Sequence, residues 1–317
     1  MLNDVAELYA ASPALFAGSV FVLGLVVGSF LNVVIYRLPI MLEREWRAQA
    51  AEFVPAAAVA PLAPAATPAP AGAPPSQPPE RFTLITPRSA CPACKAPISA
   101  WQNIPVISWL ILGGRCAACK ARISGRYPAV ELATATVSAW TAWHFGFGLS
   151  AACGISISWA LIALTGIDFD HQLLPDSITL PLLWAGLLAA VAIGPNRGTS
   201  LPVSPRDAII GAAAGYLSLW LVFHGFRFIT GKEGMGYGDF KLFAALGAWM
   251  GWKVLPLIIL LSAATGALVG ISMIVLRGRD RASALPFGPY LAAAGWLAML
   301  YGHELVDGYL RVSGLRR

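Results

Sequence analysis

Ser156-Ile157-Ser158-Trp159-Ala160-Leu161-Ile162-Ala163-Leu164-Thr165-Gly166-Ile167-Asp168-Phe169-Asp170-His171 is the stretch that decides how this chain is read. An apolar run long enough to enter a bilayer ends on a carboxylate. A second such place is Gly234-Met235-Gly236-Tyr237-Gly238-Asp239, a glycine-broken turn that opens another apolar run. An acid in hydrocarbon costs about 2.5–3.5 kcal/mol at a helix centre and less towards the interface, so Asp168 and Asp239 are functional candidates by default.

The rest of the chain supports the membrane reading. Of its 317 residues 57% are hydrophobic and only 12% are charged, about half the charge of an ordinary soluble domain. Apolar runs of spanning length lie near 14–36, 128–147, 150–167, 177–194, 207–229, 254–276 and 285–302. A shorter run near 240–252 could be a span or a re-entrant piece. The expected fold is an all-α polytopic membrane protein of about eight transmembrane helices. Its expected organisation is a first helix in 1–36, a polar loop over 37–127, and a membrane-embedded core over 128–317.

Cations set the expected orientation. Residues 37–127 hold ten of the 22 Lys and Arg, and 227–241 and 277–281 hold three each. Alternating spans put these sixteen on one side, which the positive-inside rule makes cytoplasmic. The N-terminus is then periplasmic and the membrane the bacterial inner one. Met1-Leu2-Asn3-Asp4 lacks the basic start of a cleavable signal. The net charge of +6 follows from this asymmetry. No basic face interleaved with aromatics suggests nucleic acid as a partner; the expected surroundings are the lipid bilayer.

Within the polar loop, residues 48–80 are almost all Ala and Pro, a composition that reads as an extended linker. Residues 88–126 differ. Cys91-Pro92-Ala93-Cys94-Lys95-Ala96-Pro97-Ile98-Ser99 and Cys116-Ala117-Ala118-Cys119-Lys120-Ala121-Arg122-Ile123-Ser124 agree at seven of nine positions. Each Cys-x2-Cys turn offers two thiolates, and two turns complete a tetrahedron around zinc. Four cysteines fill the shell, so Zn2+ here is structural and the module resembles a zinc ribbon. Lys95 and Lys120 help offset its charge. The competing reading, disulfides or redox pairs, is disfavoured by a cytoplasmic location. Cys153 reads as an inert thiol within a span.

Asp168 ends its helix, where the helix dipole disfavours an anion. Asp170 and His171 follow it and either tune the site or lie in a solvated loop. Asp176, in Pro175-Asp176-Ser177-Ile178-Thr179, is expected to cap a helix. Lys241 reads as a snorkelling cation or a counter-charge. Gly234, Gly236 and Gly238 let another chain approach closely and are expected to wall a cavity with Asp239 at its rim. Two carboxylates within hydrogen-bonding distance cannot both ionise easily, so one keeps a proton. The ionised partner can deprotonate water and the other can donate to a carbonyl oxygen. That is aspartic proteolysis. His144, His224 and His303 are expected to serve packing or interface roles. The alternative class is an ion-coupled transporter, which also uses intramembrane acids and broken helices.

Five motifs stand in order: Gly28-Ser29-Phe30-Leu31-Asn32-Val33-Val34-Ile35-Tyr36-Arg37-Leu38-Pro39; the four cysteines; Arg126-Tyr127-Pro128 with Val130-Glu131; Ile167 to Asp176; and Lys232 to Lys241. In these the chain resembles the bacterial type IV prepilin leader peptidase/N-methyltransferases. The resemblance implies a bifunctional enzyme. It would cut the short basic leader from prepilins and pseudopilins after a glycine, then methylate the new N-terminal amine with S-adenosylmethionine. It carries the catalytic roles to Asp168 and Asp239 and associates the cysteine module with methylating members. Asn32 and Glu131, polar groups in apolar settings, are weak candidates for the substrate or methyl-donor site, against plain helix–helix hydrogen bonding. The Ala/Pro tract and the segment 197–205 depart from the family pattern.

Overall fold

The computed structural model describes residues 2–53, 82–195, 201–232, 234–277 and 286–312. Its elements are helices: α1 (Leu2–Ala11), α2 (Pro13–Phe53), α3 (Ile107–Ile111), α4 (Arg126–Phe145), α5 (Leu149–His171), α6 (Asp176–Ala192), α7 (Pro205–Thr230), α8 (Tyr237–Met250), α9 (Leu255–Arg277) and α10 (Gly288–Val312). Single 3-10 turns lie at Ala100–Asn103 and Trp252–Val254. No extended strand occurs among the described residues; two isolated bridges, Ala90 with Pro97 and Arg115 with Arg122, belong to the cysteine module.

Among the described residues, four segments are long and apolar enough to cross a membrane: Pro13–Glu52, Leu149–His171, Pro205–Thr230 and Trp252–Leu276. Asp176–Ala192 is a shorter apolar helix. The chain is therefore a multi-pass membrane protein. Every apolar run of the sequence lies within a helix or overlaps one, and the ends fall close to expectation for α4, α5, α6, α7 and α9.

Two elements differ from the reading above. The first helix does not stop near Tyr36; α2 runs on through Pro39 to Phe53, taking in the start of the expected linker. Met41 to Ala51 is made of good helix formers, and Arg47 pairs with Glu43 one turn back at 2.6 Å. The remainder of the Ala/Pro tract, 54–80, lies outside the described residues, as does 197–200 of the second departing segment.

The second is α8. Its 14 residues make a helix of about 21 Å, short of the roughly 30 Å hydrocarbon core. From Asp239 to Met250 every residue except Lys241 is buried. A helix apolar all round belongs inside protein, and α8 is wrapped by α6, α7, α9 and α10. Phe240, Leu242, Phe243 and Leu246 form the main core with Leu161, Leu164, Leu219, Ile258, Leu291 and Met299. The α7–α8 contact is backbone on backbone. A Cβ on Gly211 would collide with the Gly247 carbonyl, and one on Gly247 with the Gly211 carbonyl. Small residues permit such approach where no hydrophobic effect drives helices together.

Three indole nitrogens inside the bundle find hydroxyls or carbonyls, as buried Trp requires. Trp159 donates to Ser138 at 2.9 Å, Trp296 to Thr141 at 3.2 Å and Trp249 to the Leu182 carbonyl at 2.9 Å. His144 packs edge-on against Phe145 and Tyr301, and His224 lies against Trp220 and Phe223. The His303 side chain is outside the described residues.

Candidate active site and metal centre

Asp168 sits in the last turn of α5. The next residues turn sharply: Gln172 takes a left-handed conformation (φ 52°) and its amide closes on the Asp168 carbonyl at 3.0 Å, a common helix ending. The chain therefore doubles back at Leu174 and α6 starts beside the end of α5. Asp168 is only 5% exposed. Its Oδ2 accepts a 3.0 Å hydrogen bond from the amide of Gly288, the first residue of α10. A carboxylate at an unfavourable helix end thus meets the positive N-terminus of another helix. A Cβ on Gly288 would lie 2.6 Å from that same oxygen, so only glycine leaves room for the contact.

Asp239 occupies the first turn of α8 and is 6% exposed. Its Oδ2 accepts from the amide of Gly236 at 3.2 Å, as a third-position acid does in a capping box. Its Oδ1 is buried and has no hydrogen-bond partner. Buried polar atoms are nearly always satisfied, so a lone one asks for a reason. Asp239 also lies within the electrostatic reach of Asp168.

Leu174 joins the two. A Cβ on Gly238 would come within 2.7 Å of the Leu174 Cβ, and one on Gly288 within 3.1 Å of its Cδ2. The end of α5, the α5–α6 turn, the start of α8 and the start of α10 therefore close around one point. Gly238 packs there, while Gly234 and Gly236 are exposed. A groove of about 620 Å³ runs beside this point between α4, α5 and α10, with Arg126, Thr165, Asp170, Pro289 and Trp296 among its lining. The glycine turn is not part of that lining.

The neighbouring charges are paired. Arg126 donates to Asp170 at 2.6 Å and to the Gly166 carbonyl at 3.2 Å, tying the start of α4 to the last turns of α5. Asp176 is not the helix cap the sequence suggested. Pro175 takes that position and no side chain caps α6. The Asp176 carboxylate instead holds the Lys241 ammonium with both oxygens at 2.7 Å. Lys241 is thus a counter-charge linking α6 to α8.

Asn32 and Glu131 are both engaged by the chain itself. Asn32 donates to the Tyr127 carbonyl at 3.1 Å. Glu131, buried, accepts from the Val106 amide at 2.7 Å and interacts with Ser29. Sequence reasoning missed two residues. Arg37, 8% exposed, donates to the carbonyls of Thr83 at 2.9 Å and Pro87 at 2.7 Å, pinning the start of the cysteine module to α2. Its signals were a cation just after an apolar run and a place in the first of the five motifs. Gly288 was signalled only by Phe287-Gly288-Pro289 opening a span.

The four thiols of Cys91, Cys94, Cys116 and Cys119 lie within 4.8 Å of one another. Cys91 and Cys119 sulfurs are 3.8 Å apart. Zinc–sulfur bonds of about 2.3 Å in a tetrahedron demand a separation of about 3.8 Å, so the cluster fits zinc. The sequence repeat is a structural repeat. Lys95 and Lys120 both adopt φ 59°, and their amides close on the Cys91 and Cys116 carbonyls at 2.9 and 3.0 Å. Amides of Cys94 and Ala93 lower the Cys91 thiol to about 6, and those of Cys119 and Ala118 lower Cys116. Cys119, although the Ala121 amide favours its thiolate, is pushed up to about 11 by the neighbouring thiols and by burial. Four crowded thiolates need a cation.

Comparison with known proteins agrees with these features. The profile of the bacterial peptidase A24 N-terminal domain matches residues 22–145, and that of the type IV leader peptidase family matches 155–271. The prepilin leader peptidase/N-methyltransferase of Stutzerimonas stutzeri is 50% identical over 98% of this chain and 99% of its own. Its Pseudomonas aeruginosa counterpart is 48% identical over 97% and 98%, and that of Legionella pneumophila 44% over 90% and 91%. No solved structure matches the chain. The ion-coupled transporter reading finds no support in these relatives.

Proposed function

The chain belongs to the type IV leader peptidase family, and from that premise we propose that it cleaves the leader of prepilins and methylates the amine so exposed. Asp168 and Asp239 are the catalytic pair. The observation that carries this reading is the convergence of two buried carboxylates around Leu174, each held through one oxygen by a helix N-terminal amide. Asp239 Oδ1 is the acceptor left for the reacting water. One carboxylate takes a proton as water attacks the scissile carbonyl, and the other hydrogen-bonds to that oxygen. The proton then passes to the leaving amine. Gly234, Gly236 and Gly238 form the edge over which the substrate unwinds, because a helical peptide bond hides its carbonyl.

The reaction lies at the cytoplasmic face of the bacterial inner membrane, with the N-terminus periplasmic, on the strength of the cation asymmetry. Secretion pseudopilins are further substrates of the same chemistry. Cys91, Cys94, Cys116 and Cys119 hold a structural Zn2+. S-adenosylmethionine is the methyl donor that the relatives' name implies.

The test is to incubate purified protein in detergent with a prepilin and an isotope-labelled methyl donor. Mass spectrometry then scores cleavage and methylation separately. The reading requires both products; absence of leader cleavage sinks it. For the metal, any single Cys→Ser change in the cluster should abolish protease resistance of 88–126 while the helical core stays folded, since ligation and folding are coupled. Intact resistance without zinc would refute the structural role.

A further inference from the structure

The 21 residues between Cys94 and Cys116 carry a cluster of exposed apolar side chains. Trp101, Ile104, Ile107, Leu110 and Ile111 are 44–71% exposed. The opposite side of this segment faces the module: Trp109 donates to the Ile123 carbonyl at 3.3 Å and fills the space over Gly114, and Ser108 is buried. So the segment has one face spent on the zinc knuckles and one apolar face with no covering among the described residues. A soluble surface rarely gathers so much.

Its depth is fixed by Glu131. Arg126, whose side chain is 45% exposed in its pair with Asp170, marks the polar edge of the bundle. Glu131 lies five residues further along α4, about 7.5 Å deeper at 1.5 Å per residue. Val106 donates its amide to Glu131, so the segment reaches below that edge. The same contact satisfies a donor at the start of α3 that lipid could not. Charge names the occupant. From 82 to 130 there are six cations, Arg88, Lys95, Arg115, Lys120, Arg122 and Arg126, and no acid. A basic leader or a second basic module would be repelled.

We infer that residues 101–111 form an interfacial anchor, set into the leaflet that faces the cysteine module and bound to anionic lipid. Apolar insertion and a basic surround are the two signals that stable membrane attachment takes. The knuckles on either side clamp the loop's ends, so metal binding holds the anchor closed. Trp101 sits where interfacial aromatics gather.

The experiment places the photo-crosslinker p-benzoylphenylalanine at Ile111 of the full chain, and separately at Leu110. Leu221, 63% exposed on α7, serves as the lipid-facing control. Protein is reconstituted, with and without a prepilin, in nanodiscs of phosphatidylcholine alone or with phosphatidylglycerol, and one zinc per chain verifies the fold. The expected product is a lipid-mass adduct on the 100–112 peptide, as abundant as at Leu221 and several-fold higher with phosphatidylglycerol. Arg115→Gln with Arg122→Gln should abolish the phosphatidylglycerol gain and keep the adduct. The inference is overturned by an adduct to a prepilin, to a second copy or to the chain's own 54–81, or by no lipid adduct while Leu221 gives one. A phosphatidylglycerol gain that survives both Arg changes overturns its electrostatic half.

Discussion

Asp168 and Asp239 are equally buried, and each carboxylate accepts one amide from a helix N-terminus. They obtain it by opposite means. Asp239 begins the helix whose dipole it sits on, and Gly236, three residues back, supplies the amide. Asp168 ends its helix, where the dipole opposes an anion, and the amide comes from Gly288, 120 residues away. One acid is positioned by its own turn, the other by the assembled bundle. A protein that needs two similar carboxylates at one point can build one locally and must import the support of the second.

The largest effect should come from the acids themselves. Asp168→Asn and Asp239→Asn should each lower prepilin cleavage by at least about 1,000-fold, within the range for lost acid–base groups, while methylation of a pre-cleaved pilin persists. Cleavage at the normal rate by either variant would remove that residue from the pair.

The sharper probe compares the two amide donors. Gly288→Ala puts a methyl 2.6 Å from Asp168 Oδ2 and should cut kcat by about 100-fold, the cost of a displacement of order 1 Å in a catalytic group. Gly236→Ala meets nothing closer than 3.8 Å and keeps its N–H, so kcat should stay within about threefold, a small fraction of the cost of such a displacement. The reverse order would show that the local turn at Gly236, not the imported amide of Gly288, is the more demanding support. The smallest effect is at the periphery. Arg126→Met removes a half-exposed pair worth about 0.2–1 kcal/mol. It should lower the melting temperature slightly and leave cleavage almost unchanged; a loss as deep as that of Gly288→Ala would make Arg126 part of the site.

Much of this was legible along the chain. Apolar runs gave the long helices, though neither α1 nor α3, because length and hydropathy are local properties. The cysteine repeat gave the two knuckles down to matching left-handed lysines, because a Cys-x2-Cys turn closes on its own backbone. Asp176 was read as a cap from its position before a helix, but Pro175 takes the cap position and the Asp176 carboxylate pairs with Lys241 across the bundle. Pro39 did not stop α2, since the good helix formers after it resume the helix.

The sequence by itself determined which segments are helical and apolar, which four thiols share a centre, and which two acids are out of place. Those follow from composition and short spacing. Only the tertiary structure decided that α8 is an interior helix, that Gly288 supports Asp168, that Gly238 and Gly288 both pack on Leu174, and that Glu131 ties the inter-knuckle loop to α4. Each depends on contacts between residues far apart in the chain, and a one-dimensional pattern carries no record of which distant backbone amide will arrive at a buried oxygen.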